Sequence, residues 1–302
     1  MKYRVWLNEW LASCVKPNVK SQTYVRYSTI VRLRIIPKLG EYDMDDLTVP
    51  VLQRFTAEMT EQVAPNTVGV IVAVIKSSLV RAKRSGLTEH LHCDDIQRPR
   101  MREKKIECFS GLEQRKIENH VFHLEKPKLY GIVLCLYTGL RVGELLALEW
   151  KDIDFRRGVL SVTKSCRDSW IDGVYTRITE CPKTITSNRV IPLPKQLVPH
   201  IKRLRRQSRS NYVISGNDGK IISVRSYQKT FCSVQRRLKL PHRGFHALRH
   251  TFATRALECG MDVRTLAELM GHKNPTVTLN RYAHSLMEHK SAMMNKLGKL
   301  LM

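Results

Sequence analysis

The stretch Ile96–Glu107, IQRPRMREKKIE, divides this chain of 302 residues. Pro99 interrupts any helix through it, and Arg98, Arg100, Arg102, Lys104 and Lys105 crowd it with positive charge. Such a segment has little to bury and belongs at a domain boundary rather than in a core. Two stretches remain, each long enough for its own core. The expected organisation is a helical domain over 1–97, a basic linker over 98–106 and a larger domain over 107–302. A linker can be basic simply to stay solvated; between two basic domains it also suits a phosphate backbone.

The two sides differ in pattern. Before the boundary, YRVWLNEWLASC places Val5, Trp6, Trp10 and Leu11 near one helical face. SQTYVRYSTIVRLRIIPKLG starts at Ser21 as a cap and runs to Pro37 and Gly40. A third helix follows Thr48, and a fourth follows Asn66 and closes at Gly86. The centre of the fourth is almost wholly apolar, which predicts the middle of a small bundle. Its later turns carry Lys76, Arg81, Lys83 and Arg84, which suit either the negative end of a helix dipole or DNA phosphates. Beyond Phe109, SGLEQRKIENHV and LYGIVLCLYTG read as helices, while GVLSVTKS, VYTRIT and NRVIPLP are rich in β-branched residues and read as strands. After Pro199 helices resume. The expected fold class is mainly α with a small antiparallel β-sheet.

Charge narrows the partner. Lys and Arg number 52 against 27 Asp and Glu, a formal net charge of +25. Such an excess repels itself in a compact fold unless a polyanion neutralises it, and double-stranded DNA is the readiest one. No apolar run approaches membrane-spanning length, and the N-terminus lacks the unbroken apolar core of a signal peptide. The eight cysteines form no CxxC pair, which speaks against zinc, and their scatter through apolar segments suits a reducing, cytoplasmic setting. Carboxylate clusters that would suggest a metal site, a glycine-rich phosphate loop and a GxSxG elbow are all missing from the sequence, so the candidate chemistry is left to Arg, Lys, His and Tyr.

Four islands hold the remaining chemistry. In LYTGLRVGELLALEW a Thr-Gly break puts Arg141 at the start of a helix, with Glu144 three residues on to hold it. A surface Arg–Glu pair would look the same and contribute little. In ECPKTITSNRVIPLP, Lys183 sits in a polar turn between strands, with Arg189 a competing candidate. In HRGFHALRHTFATRALECG, His246, Arg249 and His250 share a helical face and are costly to bury for packing alone. The fourth, LAELMGHKNPTVTLNRYAH, breaks at Gly271-His272, restarts at Pro275 and carries Tyr282. Arg, Lys, His and Tyr together can bind a phosphodiester, neutralise its extra charge during attack and supply a nucleophile.

In order and composition these islands resemble the motifs of the tyrosine recombinases, or phage-type integrases, over about residue 107 to the end. More loosely, LGEYDMDDLT and APNTVGVIVAVIKSSLVRAKRSG resemble that family's SAM-like core-site-binding domain. The resemblance implies a site-specific recombinase acting in DNA integration, excision or inversion, as enzymes of mobile genetic elements do, without cofactor. It implies that Tyr282 attacks the scissile phosphate to form a 3′-phosphotyrosyl bond, that Arg141 and Arg249 grip the non-bridging oxygens, and that Lys183 protonates the leaving 5′-oxygen. His246 and His272 would complete the pocket, with Glu144 and His250 as supports behind them. Lys76, Arg81, Lys83, Arg84, Arg98, Arg100 and Arg102 are the expected DNA contacts outside the pocket.

The tail SAMMNKLGKLLM, with Met293, Leu297, Leu300 and Leu301 near one face, resembles the family's C-terminal helix, which docks on a neighbouring subunit. A homo-oligomer on DNA, tetrameric at synapsis, is the corresponding expectation. The alternative is packing within its own domain. Longer family members carry an arm-binding domain; this chain starts at the core-binding helices, so arm-site binding is not expected unless the chain is trimmed. The competing readings are a type IB topoisomerase, which relaxes DNA without site specificity, and a DNA-binding regulator without catalysis.

Overall fold

The computed structural model describes residues 1–88, 95–99, 107–171, 174–180, 188–272, 274–276, 294–295, 297–299 and 301. The chain divides into two compact units, Met1–Lys104 and Lys105–Met302.

The first unit is a helical bundle of α1 (Tyr3–Glu9), α2 (Ser21–Ile30), α3 (Ile36–Leu39), α4 (Val49–Gln62) and α5 (Pro65–Arg84). α1 runs on through Trp10–Val15, and α2 through Val31–Ile35, as wider helical turns. As its composition predicts, α5 fills the middle: Val68, Ile71, Val72, Val74, Ile75 and Leu79 are all buried. Two aromatic residues of α1 pack on it and satisfy their polar ends there. Tyr3 shares a 2.7 Å hydrogen bond with Ser78 Oγ, and Trp6 Nε1 donates to Ser78 O at 3.1 Å.

Several local expectations need correction. Val5 is exposed, and Tyr3 and Leu7 of the same helix are buried instead. Ser21 is the first helical residue of α2, after the extended Lys20, and caps nothing. α5 starts at Pro65, ahead of Asn66, because proline's fixed φ suits the first helical turn and needs no N–H donor there.

The second unit is mixed. Its first helix, α6 (Gly111–Leu124), begins with a reciprocal cap in which Ser110 Oγ accepts from Glu113 N and Glu113 Oε2 accepts from Ser110 N. The apolar α7 (Tyr130–Thr138) follows and is buried along nearly its whole length. α8 (Val142–Ala147) comes next, then β1 (Ile153–Asp154), β2 (Val159–Val162), β3 (Ser165–Ile171), β4 (Val174–Glu180) and β5 (Arg189–Pro192). β1, β2 and β5 form one antiparallel sheet in that order, with Val162 opposite Arg189. β3 and β4 form a separate antiparallel ribbon, with Ser165 opposite Glu180. The sequence pattern does not announce β3, because SCRDSWI mixes charge with small polar residues; its pairing with β4 decides it. Four helices close the described part of the unit: α9 (Val198–Gln207), α10 (Val224–Arg237), α11 (His246–Glu258) and α12 (Val263–Met270).

Candidate functional site

Two helices of the second unit end in the same way. α7 terminates at Gly139 (φ 65°) and α12 at Gly271 (φ 62°), both in the left-handed conformation that glycine adopts at least cost. A Cβ on Gly139 would lie 2.5 Å from the Phe252 ring, so both its conformation and its neighbour exclude a side chain. Helix C-termini leave carbonyls unpartnered and carry the negative end of the dipole. Three arginines answer them.

Arg249, on the inner face of α11, is 1% exposed. Its Nη1 donates to Gly139 O at 2.7 Å and its Nη2 to Met270 O at 2.5 Å. Nη2 also lies 3.0 Å from His272 Nε2. A guanidinium has no lone pair to offer, so in a hydrogen bond across this contact Nε2 is the acceptor. Arg141 holds the cap position of α8; its backbone N–H and Nη1 donate to Glu144 at 2.9 and 2.8 Å, and its Nη2 reaches Gly271 O at 3.4 Å. Arg189, the first residue of β5, donates from Nη1 and Nη2 to Glu144 at 3.1 and 2.8 Å and from Nε to Leu269 O at 2.6 Å.

Glu144 is thus not one half of a surface pair. Its side chain is 4% exposed and is shared by two guanidinium groups. Burial would raise its pKa, but the Arg189 hydrogen bonds and the charges of Arg189 and Arg141 prevail and lower it to about 2. A depressed carboxylate contributes stability that is present above its unfolded pKa and is lost as pH falls through its folded pKa. Stability from this group is therefore full above about pH 4.5 and declines toward about pH 2. Glu144→Gln should melt lower at neutral pH, by about 3 kcal/mol for a broken buried pair. Its melting temperature should also fall less than that of the unaltered chain between those two pH values. Thermal unfolding across that range checks both, and parallel curves would refute the assignment.

The structure brings Arg141, Glu144, Arg249 and His272 together, and with them Arg189, the candidate that competes with Lys183. On α11, His246 and His250 lie side by side as their spacing predicts, and Arg249 is the buried member of the three. Arg249 points into the core, His246 is exposed and His250 is partly buried, with the two imidazole rings in edge contact at 4.6 Å. Lys183 and Tyr282 lie outside the described residues. In the first unit, Lys76, Arg81 and Arg84 line an open groove with Trp10, Ser13 and Asn18. Lys83 and Arg98 are exposed, and Arg100 and Arg102 lie outside the described residues. Of the apolar tail positions, Leu297 and Leu301 are exposed, at 46% and 78%, while Met293 and Leu300 lie outside the described residues. Among the described residues no group of His, Cys, Asp and Glu is placed to hold a metal ion, and no helix is long and apolar enough to cross a membrane.

Chemically, among the described residues the pocket holds three guanidinium groups against one carboxylate. The surplus positive charge is held in place by helix-end carbonyls, which are weak, neutral partners. An anion with two free oxygens would be a stronger one.

Comparison with known proteins agrees with this geometry. Residues 112–289 match the phage integrase family, and residues 2–60 match the phage integrase N-terminal SAM-like domain. A tyrosine recombinase XerC-like protein of Caldanaerobacter subterraneus subsp. tengcongensis is 30% identical across 97% of this chain and 82% of its own length. The ICEBs1 integrase of Bacillus subtilis is 26% identical across 97% of this chain and 81% of its own. Among solved structures, the Tn1549 transposon integrase in complex with transposon right end DNA superposes with a TM-score of 0.86 at 22% identity, covering 99% of this chain and 100% of that one. A lambda integrase dimer bound to a COC′ core site gives 0.72 at 17% identity, covering 92% and 97%.

Proposed function

This chain belongs to the phage integrase family, the tyrosine recombinases, and from that premise we propose how its residues cut and rejoin DNA at specific sites. The observation that carries the proposal is the net positive pocket, in which Arg141 and Arg249 are held by carbonyls that a phosphodiester would replace.

In the proposed reaction the two arginines bind the non-bridging oxygens of the scissile phosphate. The Tyr282 hydroxyl, with a pKa of about 10 when unaided, becomes a better nucleophile as these cations stabilise the phenolate. Its oxygen forms a bond to phosphorus, and the bond from phosphorus to the 5′-oxygen breaks. Lys183 gives that oxygen its proton, leaving a free 5′-hydroxyl and a 3′-phosphotyrosine. His246 and His272 supply hydrogen bonds in this proposal, and one of the two takes the tyrosine's single proton. Attack by a 5′-hydroxyl from the partner strand reverses these steps and rejoins DNA, so no nucleotide is consumed and the phosphotyrosyl bond conserves the energy.

Around the pocket, the groove with Lys76, Arg81 and Arg84 would hold duplex phosphates, with the segment from 98 to 106 as the basic linker between a core-site domain and a catalytic domain. The exposed Leu297 and Leu301 suit docking of the tail on a neighbouring subunit within a tetramer on DNA. The cytoplasm, where the chain would meet its DNA, is the proposed location.

The direct test incubates the chain with a nicked duplex carrying its recombination site, so that the freed end diffuses away and the covalent complex accumulates. A 3′-linked adduct is the expected product, and its absence on a site the protein demonstrably binds would overturn the proposal. Binding should also weaken steeply with salt, with a log–log slope of about −0.9 per phosphate neutralised. For a footprint of about eight phosphates, affinity should drop on the order of 10⁴-fold between about 50 and about 200 mM salt. A flat response would exclude an interface built on phosphates.

A further inference from the structure

We infer that Arg189 is a positioning residue for this site, fixing the end of α12 while Arg141 and Arg249 exchange their carbonyl partners for the phosphodiester. The inference rests on the recombinase reading above and adds to it a residue which that reading does not use.

Three consecutive carbonyls leave the end of α12, and each accepts from a different arginine. Leu269 O takes Arg189 Nε at 2.6 Å, Met270 O takes Arg249 Nη2 at 2.5 Å, and Gly271 O takes Arg141 Nη2 at 3.4 Å. His272 follows directly, and the chain continues toward Tyr282. The place of His272 therefore depends on where this turn is held.

The three arginines are not equivalent. Arg141 is 37% exposed and its bond to Gly271 O is long, so a phosphate oxygen displaces it readily. Arg249 is buried, but its two carbonyl partners are neutral, and a charged oxygen binds a guanidinium more strongly. Arg189 is 5% exposed, and its head is occupied on both edges by protein, Glu144 on one and Leu269 O on the other. Its carboxylate partner competes with phosphate on equal terms of charge, and nothing drives it to let go.

Binding of the phosphodiester thus removes two of the three ties on the turn, and Arg189 keeps the third. Gly271 shows how closely the parts fit. A Cβ at that position would lie 3.0 Å from Arg189 Nη1 and 3.3 Å from its Cδ and Cζ, on a residue whose φ of 62° already favours glycine. Through Glu144 the same guanidinium also braces Arg141, whose backbone and side chain both donate to that carboxylate. One planar fork therefore aligns a phosphate-binding arginine with the turn that leads to the nucleophile. A lysine has one nitrogen and cannot span the two partners.

The experiment compares Arg189→Lys and Arg189→Gln with the unaltered chain on a nicked duplex, reading DNA affinity, thermal unfolding and the rate of covalent adduct formation. A second duplex carries a methylphosphonate at the scissile position, where the missing negative charge removes the need for an arginine that neutralises it. The expected result is affinity within about threefold of the unaltered chain and adduct formation slowed on the order of 100-fold, the scale of a misplacement of about 1 Å. The methylphosphonate should restore Arg141→Ala but leave both Arg189 variants slow. Unchanged rates in Arg189→Lys would overturn the inference. So would methylphosphonate rescue of the Arg189 variants, which would place Arg189 on the phosphate itself, and so would a rate loss that only tracks unfolding or lost affinity. An unaltered chain that binds but forms no adduct would instead refute the recombinase reading, and the inference with it.

Discussion

Tyr282→Phe will bind its DNA site as the unaltered chain does and will form no covalent adduct with it. The substitution removes one oxygen and leaves the ring, so the side chain keeps its shape while the proposed nucleophile is lost. A guanidinium is not a nucleophile, and a histidine or water attacking instead would not leave the protein attached through tyrosine. The expected effect is complete loss, measured by denaturing gel on the nicked duplex, beside a binding isotherm that stays within error of the parent's. An adduct of ordinary yield in the Phe variant would remove Tyr282 from the reaction.

The second large effect is at Arg249. Arg249→Lys keeps the charge, but one ammonium cannot serve Gly139 O and Met270 O together, since these lie at the ends of different helices. One buried carbonyl is then left without a donor, at about 1–3 kcal/mol. The transition state also loses a two-point grip on the phosphate, which by analogy with single oxyanion donors lowers the rate about 10²–10³-fold. Arg141→Lys is the control that separates these effects. Arg141 is 37% exposed and its carbonyl contact is long, so the rate should fall comparably with little change in melting temperature. Equal loss of stability in the two variants would mean that the burial of Arg249 counts for nothing.

The division of labour was legible in the sequence where chemistry is local. The Thr-Gly break before Arg141, the three-residue spacing to Glu144 and the wholly apolar centre of α5 all read correctly, because helix ends, helix periodicity and bundle cores follow from neighbours in the chain. What was not legible depended on distant partners. Nothing near Arg189 distinguishes it from a solvated arginine beside a turn. Its role arises only when β5 brings it to Glu144, 45 residues earlier in the chain, and to Leu269, 80 residues later. Glu144 likewise read as one half of an exposed pair until a second guanidinium and burial changed its meaning. The same limit explains α1. Helical spacing admits Val5 to the apolar face, but the position of α5 decides that Tyr3 and Leu7 are covered while Val5 is not.

The ties at the end of α12 are made to main-chain oxygens, and this bears on how such a site drifts over time. Whatever side chains stand at positions 269 and 270, the carbonyls remain, so their side-chain identity answers to the core around them and not to the arginines. A change in length is another matter. One residue inserted or deleted between Leu269 and His272 would shift every carbonyl against its guanidinium at once, and no substitution elsewhere restores three registers together. The turn should therefore tolerate variation in letters and almost none in spacing, a constraint that comparing residue identities column by column would overlook.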